Sequence, residues 1–356
     1  MESQVLMVKF IFQKNYGVNI KKNTMNFNVN DIRPENLMEQ KKPLLESDKE
    51  YLRSRRDLFI EVDCPACKSQ NSIAWAEKEG FNYKQCTECS TIFMTPRADE
   101  KLSGEFYMQS KNYDFWNKYI FPTTDAIRKQ RIFNPRALKT INFCKKYGIQ
   151  SGTLVEIGAA FGTFCEAIQE LNFFDKIIAV EPTPGLAETC RKKGIITYEQ
   201  TVETLDYPVS TADVIANFEV IEHLANPHGF IEQAVRFLKN GGLFICTCPN
   251  GLGLGTLVMK EAAAVVDHEH VNYFNPKSLS ILLENAGMEV LEVCTPGELD
   301  TDLLKHSFEL HPNIANNNSF LKEVLKHGNE DLQRKFQSFL QDSLLSSHMW
   351  IIARKK

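Results

Sequence analysis

The chain has 356 residues, of which 43% are hydrophobic, so it can bury a full core and form more than one domain. Its formal net charge of −4 excludes a globally basic surface of the kind that binds nucleic acid or an anionic membrane. No apolar run approaches the roughly 20 residues that a membrane-spanning helix needs. The first residues, MESQVLMVKFIF, lack a basic region and a small-residue cleavage site, so we expect no signal peptide.

The chain divides by composition into several units. A polar arm with a helical pattern comes first, then a unit dominated by cysteine pairs, then an aromatic and charged segment with helical periodicity. An alternating strand and helix pattern follows and is interrupted near its end by a helical insertion. The predicted units are an arm (1–57), a zinc-binding domain (58–97), a helical linker or cover (98–150), the main α/β domain (151–295), the insertion (296–346) and a last strand (347–356).

The ten cysteines are distributed unevenly. Four form two C-x-x-C pairs, Cys64 with Cys67 and Cys86 with Cys89, and the other six are scattered through apolar segments. The spacing of the pairs is that of a four-cysteine zinc site, which we expect to be structural. Four free structural cysteines are the alternative. This usage is typical of a reduced, cytoplasmic protein rather than of a secreted disulfide scaffold.

From residue 153 onward, short apolar runs alternate with helical patterns. The runs TLVEIG, KIIAVEP, IITYEQ, ADVIANF and LFICTCP are predicted strands, and the helix before the last of them is expected to end at Gly241–Gly242. This alternation predicts a doubly wound α/β fold with a mostly parallel sheet covered on both faces. Two later runs, MEVLEVCT and HMWIIARK, predict neighbouring antiparallel strands in the edge region of that sheet.

The segment LVEIGAAFGTF predicts a ligand-binding turn. Gly158 and Gly162 bracket a turn between a strand and a helix, where the backbone can approach a ligand closely. Glu156, just before the turn, would repel a pyrophosphate but suits a cationic amino-acid group. Glu181 ends the second strand, where a carboxylate can accept hydrogen bonds from both hydroxyls of a ribose. An ordinary tight turn is the alternative.

The motif E-x-x-E-H, formed by Glu219, Glu222 and His223, follows the fourth strand. If a helical turn begins there, these side chains share one face and could hold a hard divalent ion, Mg²⁺ or Mn²⁺. His268 and His270, on a loop after the fifth strand, could complete the site. The alternatives are His223 acting alone as a base, with a glutamate capping a helix, and an ordinary pair of surface histidines.

The segments VEIGAAFG, VEP and ANFEVIEHLANP, in this order, resemble the class I S-adenosylmethionine-dependent methyltransferases. The resemblance covers roughly residues 150–295 and the final strand, and it implies a Rossmann-like methyltransferase sheet. Ala160 departs from the family by occupying the middle glycine position of the turn. The cysteine-rich segment, HEHVNYFNPKSLSILLENAGMEV and TPGELDTDLL are similar to a bacterial subgroup of deoxysugar and polysaccharide pathways.

The resemblance implies a role for each matching position. The methionine end of the cofactor would lie on Glu156, Gly158, Ala159 and Gly162, its ribose on Glu181, its adenine beside Thr201 and Val202, and its sulfonium above Asn217 and Phe218. The E-x-x-E-H motif resembles that of ubiquinone-pathway O-methyltransferases and small-RNA 2′-O-methyltransferases, whose acceptors carry two adjacent hydroxyls that a metal can bind.

The predicted function is therefore methyl transfer from S-adenosylmethionine to an oxygen of a small molecule, a sugar or nucleotide-activated sugar. C-methylation beside a sugar keto group, with a histidine removing the proton, is the alternative within the enzyme class. A non-catalytic zinc protein that binds RNA or a protein is the alternative outside it. The net charge and the lack of a Lys/Arg stripe argue against nucleic acid, and no membrane partner is expected.

Overall fold

The computed structural model describes residues 29–356, so the first 28 residues of the predicted arm, including the stretch considered for a signal peptide, lie outside the described residues. Two sheets organise the described part of the chain. Its strands are β1 (Ser72–Lys78), β2 (Phe81–Cys86), β3 (Ile92–Met94), β4 (Thr153–Ile157), β5 (Lys176–Val180), β6 (Ile196–Tyr198), β7 (Ala212–Phe218), β8 (Leu238–Pro249), β9 (Asn272–Tyr273), β10 (Met288–Cys294) and β11 (His348–Lys355).

The larger sheet has seven strands in the order β10-β11-β8-β7-β4-β5-β6. Strands β4 to β8 within it pair in parallel, whereas β11 is antiparallel to both of its neighbours. The sheet therefore confirms the doubly wound α/β prediction and the antiparallel pair in its edge region. The order reverses beside β4, so the carboxyl ends of β4, β5 and β7 meet at the crevice where such sheets bind ligands.

Helices cover both faces of this sheet. The described helices are α1 (Glu35–Arg53), α2 (Glu100–Gln109), α3 (Lys111–Phe115), α4 (Phe121–Arg128), α5 (Asn134–Lys146), α6 (Thr163–Gln169), α7 (Pro184–Lys192), α8 (Pro227–Phe237), α9 (Leu254–Met259), α10 (Pro276–Asn285), α11 (Asp300–Leu310), α12 (Pro312–Asn317), α13 (Ser319–His327) and α14 (Glu330–Asp342). Short π-helical segments, Trp116–Ile120 and Lys129–Phe133, join α3, α4 and α5.

Alternate residues of β4 belong to two separate core clusters. Val155 and Ile157 pack in one cluster with Phe230 of α8, whereas Leu154 packs in the other with Phe164 of α6. Because side chains alternate along a strand, this division places one apolar layer on each face of the sheet. The core therefore lies on both sides of the strands whose ends form the candidate site.

Helix α8 ends earlier than the sequence indicates. The expected stop at Gly241–Gly242 is wrong, because the helix ends at Phe237 and β8 already begins at Leu238. Leu238 is fully buried and pairs with Ala212 of β7, so sheet pairing takes over before the glycines are reached. The glycines lie inside β8 instead, with Gly241 exposed and Gly242 buried.

The smaller sheet joins the cysteine-rich unit to the α/β domain. Its order is β1-β2-β3-β9, and its fourth strand belongs to the loop that follows β8. Ile92 pairs with Tyr273 and Phe93 with Asn272 in an antiparallel register. The loop that carries His268 and His270 is therefore tied to the cysteine-rich unit by backbone hydrogen bonds.

Between β10 and β11 the chain forms the helices α11 to α14, in the segment where a helical insertion is predicted. Within residues 29–356, no helix is both long and apolar enough to cross a membrane.

Candidate active site

The turn after β4 requires a backbone that most residues avoid. Gly158 and Gly162 have φ values of +82° and +65°. A Cβ atom on Gly158 would lie 2.5 Å from Cγ2 of Val220, and one on Gly162 would lie 2.8 Å from Cδ1 of Ile195. Ala160 also adopts a positive φ, +47°, at the middle glycine position of the family motif. The backbone conformation of the turn therefore favours glycine at positions 158 and 162.

Glu156 is buried directly beneath this turn, with 4% of its surface exposed. Its Oε2 accepts a hydrogen bond of 3.0 Å from Sγ of Cys165. Burial raises the pKa of the Glu156 carboxyl to about 8, although the nearby Arg136 opposes the shift. A desolvated carboxyl of this kind gains most from a cationic ligand, which is what the predicted methionine end of the cofactor offers.

Glu181 lies at the end of β5 and faces the same turn. Its carboxylate accepts backbone N–H bonds of 2.8 Å from Ala160 and from Thr183. Burial raises its pKa, and these backbone N–H groups partly offset the shift. The half-buried Tyr113 lies close enough for the charge of Glu181 to help raise the pKa of its phenol, after the larger effect of burial. Glu181 and Tyr113 are thus placed to bound one end of a ligand.

The remaining residues predicted for cofactor binding differ in burial and contacts. Ala159 is buried in the turn, Val202 is buried, and Thr201 beside it is exposed. Asn217 donates from Nδ2 to the carbonyl oxygen of Ile157 at 3.0 Å, which ties the end of β7 to the end of β4. Phe218 packs edge-on against Phe164, with ring centroids 4.6 Å apart.

The E-x-x-E-H motif does not present all three side chains on one face. Residues 221–223 form a single 3₁₀ turn, but Glu219 precedes it with a φ of +57°, which directs its side chain elsewhere. Glu219 accepts hydrogen bonds from Oγ1 of Thr247 at 2.5 Å and from Nε2 of His348 at 2.7 Å. Arg136 lies 3.4 Å away. Glu219 is therefore not among the residues whose ligand-type atoms group with Glu222 and His223.

The environment of Glu219 keeps it ionised. Desolvation alone would raise the pKa of its carboxyl, but His348 and Arg136 together lower it far below the ordinary value. No motif in the sequence around His348 or Arg136 indicates that either residue would contact Glu219. Arg136 also lies over the ring of Phe218, 4.8 Å from its centroid, so it reaches the candidate sulfonium position.

Glu222, His223 and His270 form a compact cluster, with one ligand-type atom of each lying within 4.8 Å of the others. Glu222 is 1% exposed, and its Oε2 has no hydrogen-bond partner among residues 29–356. Burial, and then the charge of Glu219, raises the pKa of the Glu222 carboxyl to about 8. The rings of His223 and His270 are 4.6 Å apart. This cluster is the part of the predicted divalent-ion site that the structure brings together.

Backbone carbonyls orient both histidine rings of the cluster. Nδ1 of His223 lies 3.0 Å from the carbonyl oxygen of Glu269, and Nδ1 of His270 lies 2.8 Å from that of Val265. A carbonyl can only accept, so each Nδ1 carries the proton and each Nε2 keeps its lone pair. Tyr107 also contacts Nδ1 of His223, at 3.1 Å.

The pKa values of the two histidines shift in opposite directions. Burial, and then His270, lowers the pKa of His223 to about 3, which keeps that ring neutral. The pKa of His270 is raised, because Asp267 and Glu222 outweigh the effect of burial. A neutral imidazole and a carboxyl with an unused oxygen are suited either to hold a divalent ion or to remove a proton from an acceptor.

His268 is not part of this cluster. Its ring is 3% exposed and lies between Phe81 of β2 and Phe106 of α2, with centroid distances of 6.1 and 5.8 Å. Neither ring nitrogen has a hydrogen-bond partner among residues 29–356. The structure therefore places His268 in the packing between the cysteine-rich unit and its covering helices, and its expected role at the cluster is not supported by its position.

The four paired cysteines converge with a geometry that suits zinc. The Sγ atoms of Cys64 and Cys89 are 3.4 Å apart and those of Cys67 and Cys86 are 3.6 Å apart, and all four lie within 4.8 Å of one another. Tetrahedral coordination with Zn–S bonds of about 2.3 Å separates the sulfurs by about 3.8 Å. Four thiolates without an open position would form a structural zinc site rather than a catalytic one.

Comparison with known proteins supports the class that this fold and site define. Residues 127–293 match a family model described as a methyltransferase domain, in agreement with the resemblance found in the α/β part of the sequence. The ubiquinone biosynthesis O-methyltransferase of Ruegeria sp. (strain TM1040) is 28% identical over 156 residues, covering 39% of this chain and 61% of the relative. The enzyme of the same name from Maricaulis maris is 30% identical over 136 residues, covering 33% and 52%.

This chain thus spans less than two thirds of the length of those relatives. Among solved structures, a methyltransferase of Thermotoga maritima aligns with a TM-score of 0.44 and 18% identity, covering 68% of this chain and 98% of that one. A methyltransferase of Haloferax volcanii in complex with the Trm112 activator aligns with a TM-score of 0.47 and 14% identity, covering 68% and 96%. The two curated relatives carry the name of ubiquinone O-methyltransferases, so the sugar acceptor stays a proposal.

Proposed function

We propose that the protein is an S-adenosylmethionine-dependent methyltransferase that methylates an oxygen of a small molecule. The observation that supports this most directly is the pair of buried acids around one strained turn. Glu156 lies beneath the turn and Glu181 binds it from the neighbouring strand. Such a pair is complementary to a ligand with a cationic amino acid at one end and a ribose at the other.

Cofactor binding is tested by calorimetry with S-adenosylhomocysteine. The wild-type protein is expected to bind it, and Glu181→Ala is expected to lose at least about tenfold in affinity, because a charged hydrogen-bond acceptor is removed. Glu188→Ala is the matched control, because this acid is exposed on α7 and pairs with Arg191. If the wild-type protein shows no binding, the enzyme proposal fails.

We propose that Glu222, His223 and His270 act on the acceptor hydroxyl. Bound at these residues, Mg²⁺ or Mn²⁺ would polarise the hydroxyl and lower its pKa. Two imidazoles that can each bind through a neutral Nε2, together with a carboxylate that has a free oxygen, form a set of donors that fits such an ion. Without an ion, His223 is the base, because a lone pair remains on its Nε2 and can accept the proton of a hydroxyl.

A weak chelator that leaves the zinc in place distinguishes these two modes. Loss of methyl transfer after this treatment, with recovery on adding Mn²⁺, supports the metal-assisted mode. Unchanged turnover, together with loss of activity in His223→Ala, supports the base mode. His228→Ala is the control variant, because His228 lies on α8 outside the cluster.

We propose a nucleotide-activated sugar as the acceptor, with a hydroxyl as the methylated group. Arg33, Lys41 and Arg128 supply three positive charges, and within residues 29–356 none of them forms a salt bridge with an acid. Lys41 Nζ and Arg128 Cζ lie 5.1 and 5.6 Å from the ring centroid of the same Trp116. Burial lowers the pKa of Lys41, and the charge of Glu269 on the histidine loop opposes the shift. Unpaired and partly desolvated cations favour an acceptor that carries phosphate.

The acceptor is identified by incubating labelled S-adenosylmethionine with a panel of nucleotide-activated sugars, the corresponding free sugars and a catechol. Transfer to the phosphorylated sugars alone supports the proposal, and Lys41→Ala is then expected to raise KM for them. Transfer to the catechol would instead agree with an acceptor of the kind that the ubiquinone O-methyltransferases are named for. A methyl group found on carbon would favour C-methylation beside a keto group.

A further inference from the structure

The loop that carries His270 is attached to the cysteine-rich unit at several points. We define this loop, residues 263–275, as the histidine strap. Met94 N of β3 donates to the carbonyl oxygen of Val271 at 3.0 Å, in line with the β3 to β9 pairing. From β2, the hydroxyl of Tyr83 donates to the carbonyl oxygen of Asp267 at 2.7 Å. From the second cysteine knuckle, the carbonyl oxygen of Cys89 accepts a 2.9 Å bond from Nδ2 of Asn275.

Arg97 joins the two segments that build the active-site cluster. Its guanidinium donates from Nη2 to the carbonyl oxygen of Ala225 at 2.6 Å, just after His223. From Nη1 it donates to Oδ1 of Asn272 at 2.6 Å, just after His270. One planar fork therefore spans the 221–225 turn and the histidine strap at once, which a lysine ammonium cannot do with the same geometry.

Asn272 closes the same junction from the strap. Its Nδ2 donates to the carbonyl oxygens of Ile221 at 3.3 Å and Leu224 at 2.8 Å. In addition, Val271 N donates to the carbonyl oxygen of Glu222 at 3.0 Å. The strap is thus fixed against the turn on one side and against β3 on the other.

Arg97 is buried at the junction between the 221–225 turn and the histidine strap. Arg97 is 2% exposed, and no acid forms an ion pair with it in the described part of the chain. Burial lowers the pKa of its guanidinium to about 10, and its Nε has no hydrogen-bond partner among residues 29–356. The charge of the Cys64 thiol group opposes this shift without cancelling it. Burial of this cation therefore remains costly, and its place is better explained by the geometry it imposes than by net stabilisation.

We propose that the cysteine-rich unit, together with its zinc, positions His270 against Glu222 and His223, and that Arg97 is the positioning residue of this arrangement. The proposal rests on the proposed function for the role of the cluster, but the attachment itself is independent of which acceptor is methylated. Glu156 lies on β4 and Glu181 directly follows β5, and among residues 29–356 neither bonds directly to this junction, so cofactor binding should not depend on Arg97.

Hydrogen exchange on the zinc-loaded protein tests the proposal without relying on activity. In Arg97→Lys, the amides of residues 221–225 and 263–275 are expected to exchange at least tenfold faster than in wild type, whereas residues 153–180 are unchanged. Zinc content and S-adenosylhomocysteine affinity should stay within twofold of wild type. With an active acceptor, kcat should fall while KM for S-adenosylmethionine is kept. Arg354→Lys is the control, because Arg354 also donates to a backbone carbonyl, that of Tyr147, on the far edge of the sheet.

A second variant keeps the test decisive if Arg97→Lys does not fold. Asn272→Asp retains the acceptor for Arg97 but loses the donations to Ile221 and Leu224, so faster exchange is expected in residues 221–225 and not in 263–275. Wild-type exchange in both segments of Arg97→Lys, or in residues 221–225 of Asn272→Asp, overturns the proposal. If wild-type protein binds no cofactor product, the proposed function fails while the exchange comparison still decides the role of Arg97.

Discussion

Glu156 couples cofactor binding to pH. Its carboxyl is buried and largely protonated at pH 7, with a pKa of about 8, whereas a cationic ligand requires the ionised form. Binding should therefore release a proton, approaching about one per ligand at pH 7. Affinity for S-adenosylhomocysteine should rise with pH up to about 8 and then level off. Calorimetry in buffers of different ionisation enthalpy measures the released proton directly.

Two variants separate this effect from a general effect of charge. Glu156→Gln cannot ionise, so proton release and the rise in affinity with pH should both be lost. Glu166→Gln is the control, because Lys193 and Lys129 outweigh burial and lower the pKa of Glu166, so its carboxyl is already ionised. Proton release that persists in Glu156→Gln would show that another group provides the coupling.

The direction of the Glu219 side chain could not be predicted from the local sequence pattern. The spacing E-x-x-E-H correctly brought Glu222 and His223 together, because both lie within one short turn. The side chain of Glu219 is placed instead by its φ of +57° and by His348, a residue of the last strand. Because His348 is far from the motif in the sequence, the spacing of the motif does not indicate this contact. The same holds for Arg136 and Tyr107, which reach the site from helices that carry no recognisable motif.

At the scale of elements, the turn between β4 and α6 is held by its backbone conformation. Gly162→Ala is expected to lower the free energy of unfolding by about 2 kcal/mol, from a left-handed backbone and a Cβ close to Cys190 and Ile195. Ala160→Gly should stay within about 1 kcal/mol of wild type, since relief of its positive φ offsets the extra freedom of glycine in the unfolded chain. Chemical denaturation of both variants measures the difference.

The two glycine-turn variants also differ in what they predict for ligand binding. Gly162→Ala should weaken S-adenosylhomocysteine binding, because the turn must shift to admit the new atom, whereas Ala160→Gly should bind it nearly as wild type does. Equal stability and affinity in both variants would mean that the turn adapts freely and that its backbone is not the constraint.

The alternation of apolar runs with helical patterns was sufficient to predict the larger sheet. Strands β4, β7 and β11 lie where the apolar runs place them, because continuous burial on both faces selects short apolar segments. The end of α8 and the two-residue strand β9 were not predictable in this way. Leu238 leaves the helix to pair with Ala212, and Asn272 and Tyr273 form a strand only because β3 lies beside them. Both features depend on contacts between segments that are far apart in sequence.

At the scale of the whole molecule, the cysteine-rich unit is not an independent domain in its packing. Cys64, Cys86 and Phe93 belong to the same core cluster as Phe274 and Leu279 of the α/β domain. The smaller sheet adds backbone pairing across the same boundary. Since apolar burial and sheet pairing are both continuous, unfolding of one part should remove support from the other.

Zinc release should therefore destabilise the whole protein rather than the cysteine-rich unit alone. Among the ten cysteines, Cys67 and Cys294 are the two that are not fully buried, so a mild thiol reagent should react first at these positions. Cys294→Ser leaves Cys67 as the half-buried thiol, and its modification should release one zinc per chain, read by a chromogenic indicator. Calorimetric unfolding should then show a single transition at lower temperature, since coordination free energy is lost from a shared core. Two separate transitions, with the α/β domain unfolding at its original temperature, would contradict the shared core. A modified protein that keeps its fold and activity without metal would contradict the structural zinc site.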